Sequence, residues 1–131
     1  MRDFILTAEI LEKARNAIET SLIQAGVRTA LLIDSAGNIL SNCGQGSNDL
    51  DAISLAALAA ANLGATSQIA KLIGEEDFSL LFHKGKNGNI HFARIGDELI
   101  LITIFGEDVS LGLVRCRVTD LSDSLQKIFE G

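Results

Sequence analysis

Residues 49–73 hold a helical pattern with no proline to break it. At the usual rise per residue such a helix is ~37 Å long, enough to cross a small domain from side to side. Whatever else the chain builds must be arranged around that rod. Its two sides differ in side-chain size. Leu55, Leu58, Ala65, Ile69 and Ile73 share one side at helical spacing and predict an apolar stripe packed on a core. Ile53, Ala57, Ala60, Ala61, Gly64, Ser67, Gln68 and Lys71 fall on the opposite side, which is nearly flat and uncharged until Lys71. An exposed helix face normally carries Glu, Lys and Arg, which favour both helix and solubility. A face of Ala, Gly and Ser instead lets a second backbone come close. The helix is also too long for a fold of 131 residues to cover completely. The expectation is core on one side and docking surface on the other, against burial of both faces inside one domain.

The rest of the chain supplies the elements to surround it. Residues 6–25 read as a first helix, with Thr7 as N-cap and Gly26 as the glycine that ends it. Residues 27–34 and 37–43 are β-rich runs, joined through Asp34 to Asn38 by the composition of a hairpin loop. Ser47, Asn48 or Asp49 can cap the long helix. Past Gly74, strands are expected at 78–83, 90–95 and 98–105, with a turn at 84–89 and a two-residue hairpin signal at Gly96 and Asp97. The last of these runs is apolar at almost every position, so it should be a central strand covered on both faces. Asp108 or Ser110 caps a final helix whose Leu111, Val114, Val118, Leu121, Leu125, Ile128 and Phe129 form one stripe. The order α-β-β-α-β-β-β-α predicts an α/β domain of the α+β kind. It has one antiparallel five-stranded sheet, with the first and last helices on one face and the long helix on the other. No linker or repeat interrupts it, so residues 1–131 read as a single domain.

Composition removes several classes of function. Hydrophobic residues make up 47% of the chain and charged residues 21%, which suits a compact soluble protein. A net charge of −6 argues against nucleic acid or an anionic membrane as the main partner. No apolar run near 18 residues is free of polar side chains, so no membrane-inserted helix is expected. The first residues carry acids throughout and lack a small-residue cleavage site, unlike a signal peptide, which leaves the cytoplasm as the expected compartment.

Catalytic equipment is scarce. Cys43 and Cys116 have no CxxC or His neighbour in sequence and are expected to be buried free thiols. Residues 44–49 (GQGSND) precede a helix as a phosphate loop would, but lack the GxxxxGK[ST] pattern and sit beside Asp49 and Asp51. A capped loop is the better reading. His83 and His91 could face each other across the 84–89 turn, yet two histidines without a third ligand make a weak metal site. No metal or cofactor is therefore expected. An arginine can act in trans on a nucleotide, but Arg28, Arg94, Arg115 and Arg117 all lie on strands or on the last helix, not on an exposed glycine-rich loop.

The order of elements and the words within it resemble the Roadblock/LC7 family, in particular its bacterial MglB-like branch. The matching stretches are residues 34–45 (DSAGNILSNCGQ), 54–75 (SLAALAAANLGATSQIAKLIGE), 82–85 (FHKG), 110–118 (SLGLVRCRV) and 125–130 (LQKIFE). These are packing and interface words rather than catalytic ones. The resemblance implies dimers whose sheets join edge to edge, with two long helices side by side as a platform. It further implies a Ras-like small GTPase of the MglA type as partner, with hydrolysis stimulated by repositioning the GTPase's own residues rather than by an arginine finger. On that reading the protein is a regulator in bacterial cell polarity or gliding motility, with no catalytic residues of its own. A scaffold that binds a GTPase or motor complex without altering turnover is the alternative. A small-ligand sensor is disfavoured, since no convergent polar groups mark a pocket in the sequence. The expected GTPase-binding residues are Ile53, Ala57, Ala61, Gly64, Gln68 and Lys71. The expected homodimer interface comprises Ala56, Ala60, Leu63, Phe78, Leu80 and Phe82, with residues 78–83 as the pairing edge. Some members of the family carry a C-terminal tail beyond the position of Gly131, and a contact of that kind is left open here.

Overall fold

Period-two and helical patterning become five strands and three α-helices in the computed structural model, which describes residues 6–44 and 51–130. Helix α1, Ala8–Ile18, starts where Thr7 Oγ1 accepts the Ile10 N–H at 3.1 Å. The regular helix expected to residue 25 instead widens into a π-helical segment, Glu19–Ile23, and the Gln24 N–H donates to the Glu19 carbonyl. Ile18 and Leu22 remain fully buried through the change. Gly26 then turns the chain with φ 108°, a conformation that favours glycine.

Strands β1 (Thr29–Asp34) and β2 (Ile39–Gly44) form the first hairpin. Asp34 organises its loop. Oδ1 accepts the backbone N–H groups of Ala36 and Asn38 at 3.0 and 2.9 Å, and Oδ2 accepts the Asn38 amide at 2.9 Å. Burial pushes this carboxyl up, but the Asn38 and backbone donors outweigh it and hold the pKa below its ordinary value. Strands β3 (Leu81–Lys84), β4 (Asn89–Ile95) and β5 (Leu99–Phe105) complete an antiparallel sheet in the order β2-β1-β5-β4-β3. The apolar run does supply the middle strand. Every position of β5 is buried except the half-buried Ile104.

Alternation along the strands decides which helix lies where. Ala30, Leu32, Leu101 and Phe105 turn to α1 and to α3 (Leu111–Glu130), meeting Ile18, Leu22, Val118, Leu121 and Phe129. Leu31, Ile33, Phe92, Ile100 and Ile102 turn the other way, to α2 (Ala52–Leu72). The expected layering of two helices against one therefore holds. Of the two caps offered for α3, Ser110 is used, its Oγ accepting the Leu113 N–H at 3.1 Å.

Two expectations need correcting. The strand expected at 78–83 begins at Leu81, because Asp77 Oδ1 takes the Phe78 N–H at 2.9 Å and holds that stretch out of the ladder. A helix of membrane-spanning length and apolarity also exists by those two measures alone, namely Ala52–Leu72. Asn62, Thr66, Gln68 and Lys71 interrupt its apolar run but are diluted by its alanines. One of its faces is seated on the sheet of this domain.

Candidate functional site: the exposed ridges of helix α2

The long helix starts at Asp51, later than expected; Ser47, Asn48 and Asp49 lie outside the described residues. Asp51 Oδ1 accepts the Ser54 N–H at 3.1 Å and Oδ2 accepts the Ser54 hydroxyl at 2.8 Å. Those two donors from Ser54 hold the Asp51 carboxyl below its ordinary pKa.

Which face packs is the main correction to the sequence reading. The buried stripe is Ala56, Ala59, Leu63 and Ala70, laid on Leu31, Ile33, Phe92, Ile100 and Ile102. Leu58, Ile69 and Ile73, expected in the core, are 69%, 53% and 66% exposed, and Ala65 is exposed as well. Leu55 alone of that stripe is half-buried. The reason is distance. Alanines bring the helix axis close to its own sheet and hairpin, and a Cβ added to Gly37 would stand 3.3 Å from the Ala57 Cα. Small residues that suggest an approaching foreign backbone thus in part serve the domain's own.

Two ridges remain on the outer side, each about a third of a turn from the buried stripe. Along the first, Ile53, Ala57, Ala61, Gly64, Gln68 and Lys71 are all exposed, as expected of the docking face; Ala60 and Ser67 at its border are half-buried. A Cβ built on Gly64 meets nothing within 4 Å. Along the second, Leu58, Ala65, Ile69 and Leu72 are exposed. Leu72, at 85% exposure, belongs to neither stripe read from the sequence.

The residues expected at a dimer interface do not share one surface. Ala56 and Leu63 are fully buried inside the chain, which removes them from any interface, and Ala60 is half-buried against the same cluster. Phe82 turns inward and stacks on Phe105, with ring centroids 6.1 Å apart. Phe78 is half-buried and Leu80 exposed. β3 lies at the end of the sheet and pairs on one side with β4.

Arg94 does something that its position at a strand end did not announce. Its guanidinium donates to the Leu63 carbonyl at 2.8 Å and to Ser67 Oγ at 2.5 Å, and pairs with Asp77 at 2.6 Å. It thereby fastens the middle of α2 to β4 and to the segment leaving the helix. Burial raises the Asp77 pKa, but the Phe78 N–H and Arg94 outweigh it and set it below the ordinary value. The two histidines do not face each other. Phe82 is opposite His91 and Ile90 opposite His83, so His83 packs edge-on to Phe92 while His91 is buried on the other face. Cys43 is buried, its thiol donating to the Arg15 carbonyl at 3.8 Å, whereas Cys116 is exposed, contrary to expectation. Among the described residues no group of three His, Cys, Asp or Glu side chains stands close enough to hold a metal ion. What α2 offers is contact: an apolar ridge and a low ridge, side by side.

Known proteins share this fold. A family model described as "Roadblock/LC7 domain" matches residues 16–105. The structure is similar to Myxococcus xanthus MglB, at 36% identity over 96% of this chain and 94% of that one, with a TM-score of 0.86. It is similar to the gliding protein MglB of Thermus thermophilus, at 30% identity over 99% and 98%, with a TM-score of 0.87. A structure titled "MglB with tetrameric arrangement" aligns at 30% identity over 99% and 97%, with a TM-score of 0.88. Among curated protein sequences, none matches the chain.

Proposed function

Since the chain belongs to the Roadblock/LC7 family, we propose that it is a dimeric regulator of a Ras-like small GTPase of the MglA type, stimulating GTP hydrolysis in the control of bacterial cell polarity or motility. The observation that carries this reading is the outer side of α2. Ile53, Leu58, Ile69 and Leu72 are all more than half exposed on one helix, an apolar patch of the kind that monomers keep small. The bulky ridge of Leu58, Ile69 and Leu72 suits the same helix of a second copy, since self-association buries large side chains against each other. The low ridge of Ala57, Ala61 and Gly64 then suits the GTPase, whose switch segments can approach the helix backbones closely. The mechanism is steric. With no arginine inserted, acceleration comes from holding the GTPase's own residues in their catalytic placement. Cytoplasmic residence, at a cell pole through partners, completes the proposal.

The test is GTP turnover by an MglA-type GTPase with and without this protein, with nucleotide exchange followed in the same samples. Faster hydrolysis is the expected result. Binding with unchanged hydrolysis and exchange would assign the protein as a scaffold, and accelerated exchange would reverse the sign of the regulation.

A further inference from the structure

On the opposite side of the sheet from those ridges, β4 outruns its edge partner. β3 pairs with β4 from Asn89 to Phe92, while β4 continues along β5 as far as Ile95. Beside that overhang lies a cleft of about 420 Å³, walled by β4, the segment 77–79 and α3. That volume falls in the range of small-molecule sites. Its polar lining converges from three parts of the chain: Asp77 and Ser79 after α2, His91 and Arg94 on β4, and Arg115, Thr119, Ser122 and Asp123 along α3.

His91 is the informative residue. It is 6% exposed, it lines the cleft, and its Nδ1 is buried without a hydrogen-bond partner. Thr103, directly across the ladder, has a buried Oγ1 in the same state. Folded proteins leave few such atoms unpaired, so each calls for an explanation. Arg115 lies close enough to His91 to act on its charge, and its guanidinium has no partner among the described residues, whereas Arg94 is taken by Asp77. Burial and then Arg115 lower the His91 pKa, which leaves the imidazole neutral at pH 7 with an acceptor nitrogen. A guanidinium can only donate. A guanidinium without a partner among the described residues, beside a neutral imidazole that lines the cleft, matches an anionic group with a hydrogen-bond donor next to it.

We propose that this cleft binds a small organic monocarboxylate with a neighbouring hydroxyl, the carboxylate on Arg115 and the hydroxyl donating to His91. Asp123, two turns along α3 from Arg115, places negative charge at the other end of the cleft and disfavours a second carboxylate. The site does not depend on the GTPase reading, and its test involves no GTPase.

The full chain, labelled with 15N, is titrated with L-lactate, with propionate (the same carboxylate without the hydroxyl) and with inorganic phosphate. Lactate is expected to shift amide resonances along β4 and along α3 from Arg115 to Asp123. Propionate should bind roughly tenfold more weakly, because it leaves the imidazole acceptor unpaired. Arg115→Gln, at an exposed position, should keep the folded spectrum and lose the response to both acids. His91→Gln should bring lactate down to the level of propionate. No shift with lactate, or an undiminished shift in Arg115→Gln, overturns the proposal. A phosphate response equal to that of lactate also overturns it, since the cleft would then select charge without the hydroxyl.

Discussion

Arg94 is one side chain with three tasks, and each has a separate cost when it is removed. Its bond to the Leu63 carbonyl reaches a helix backbone that already has its own ladder, and its bonds to Ser67 and Asp77 close the far end. About a third of each ion-pair partner is exposed, so solvent screening limits the share of the salt bridge. Arg94→Ala should lower stability by about 1–2 kcal/mol, nearly all from the two hydrogen bonds and their desolvated acceptors. Urea unfolding monitored by circular dichroism measures it. A pH effect belongs at the same scale. The His91 pKa is depressed in the folded state, so the unfolded chain binds the proton more readily. Stability is then fully present above the ordinary value of 6.5 and is lost as pH falls from there through the folded pKa. Asp34 and Asp77, also depressed, act in the same direction in a lower window, below their ordinary value of 3.8. The unfolding free energy of the wild type should begin to decline as pH falls below about 6.5, and that limb should be missing from His91→Gln while the more acidic limb persists.

Helix α2 is where the proposed docking is tested. Gly64 is exposed on the low ridge, and a Cβ added there meets nothing within 4 Å. Arginine favours helix over glycine by up to about 1 kcal/mol, so Gly64→Arg should fold at least as stably as the wild type. On the proposed function the same side chain fills the gap assigned to the GTPase and should remove several kcal/mol of affinity, each ~1.4 kcal/mol being tenfold. Isothermal titration against the GTPase reads the loss. A charge reversal at Lys13 on α1, on the other face of the sheet and paired only loosely with Glu9 at 3.6 Å, should leave binding unchanged. This helix also marks how far the sequence could be read. The strand run ending at Phe105 was legible as a short, almost continuous apolar stretch after a turn signal, and the α3 stripe because bulky residues repeated at helical period with polar residues between them. On α2 nearly every residue from Ala52 to Ala65 is apolar or small, so period alone could not choose between Leu58 and Leu63. Only the packing distance set by Ala56 and Ala59 chooses, and that is a property of the sheet beneath. The cleft by His91 was illegible for another reason: its walls come from residues near 79, 91 and 119, which only strand order brings together.

At the scale of the molecule, exposed Leu58, Ile69 and Leu72 sit on a chain that also presents an edge strand, β3. The proposed second copy covers both features. Sedimentation at micromolar concentration should give about twice 13.9 kDa. Ile69→Glu puts a charge on a ridge that is more than half exposed in the monomer, so it should yield a folded monomer. A dimer unaffected by that change would move the interface off the bulky ridge. The strand order has a consequence of its own for how the chain comes into being. The middle of the sheet joins β1 to β5, with Thr29 opposite Ile104. A ribosome must therefore release about four-fifths of the polypeptide before the central ladder can close, and the first hairpin and α2 wait in the meantime with their apolar faces in water. Closing so large a loop is slow compared with forming helices. Synthesis of this protein should accordingly be sensitive to chaperone supply in a way that its finished stability does not reveal.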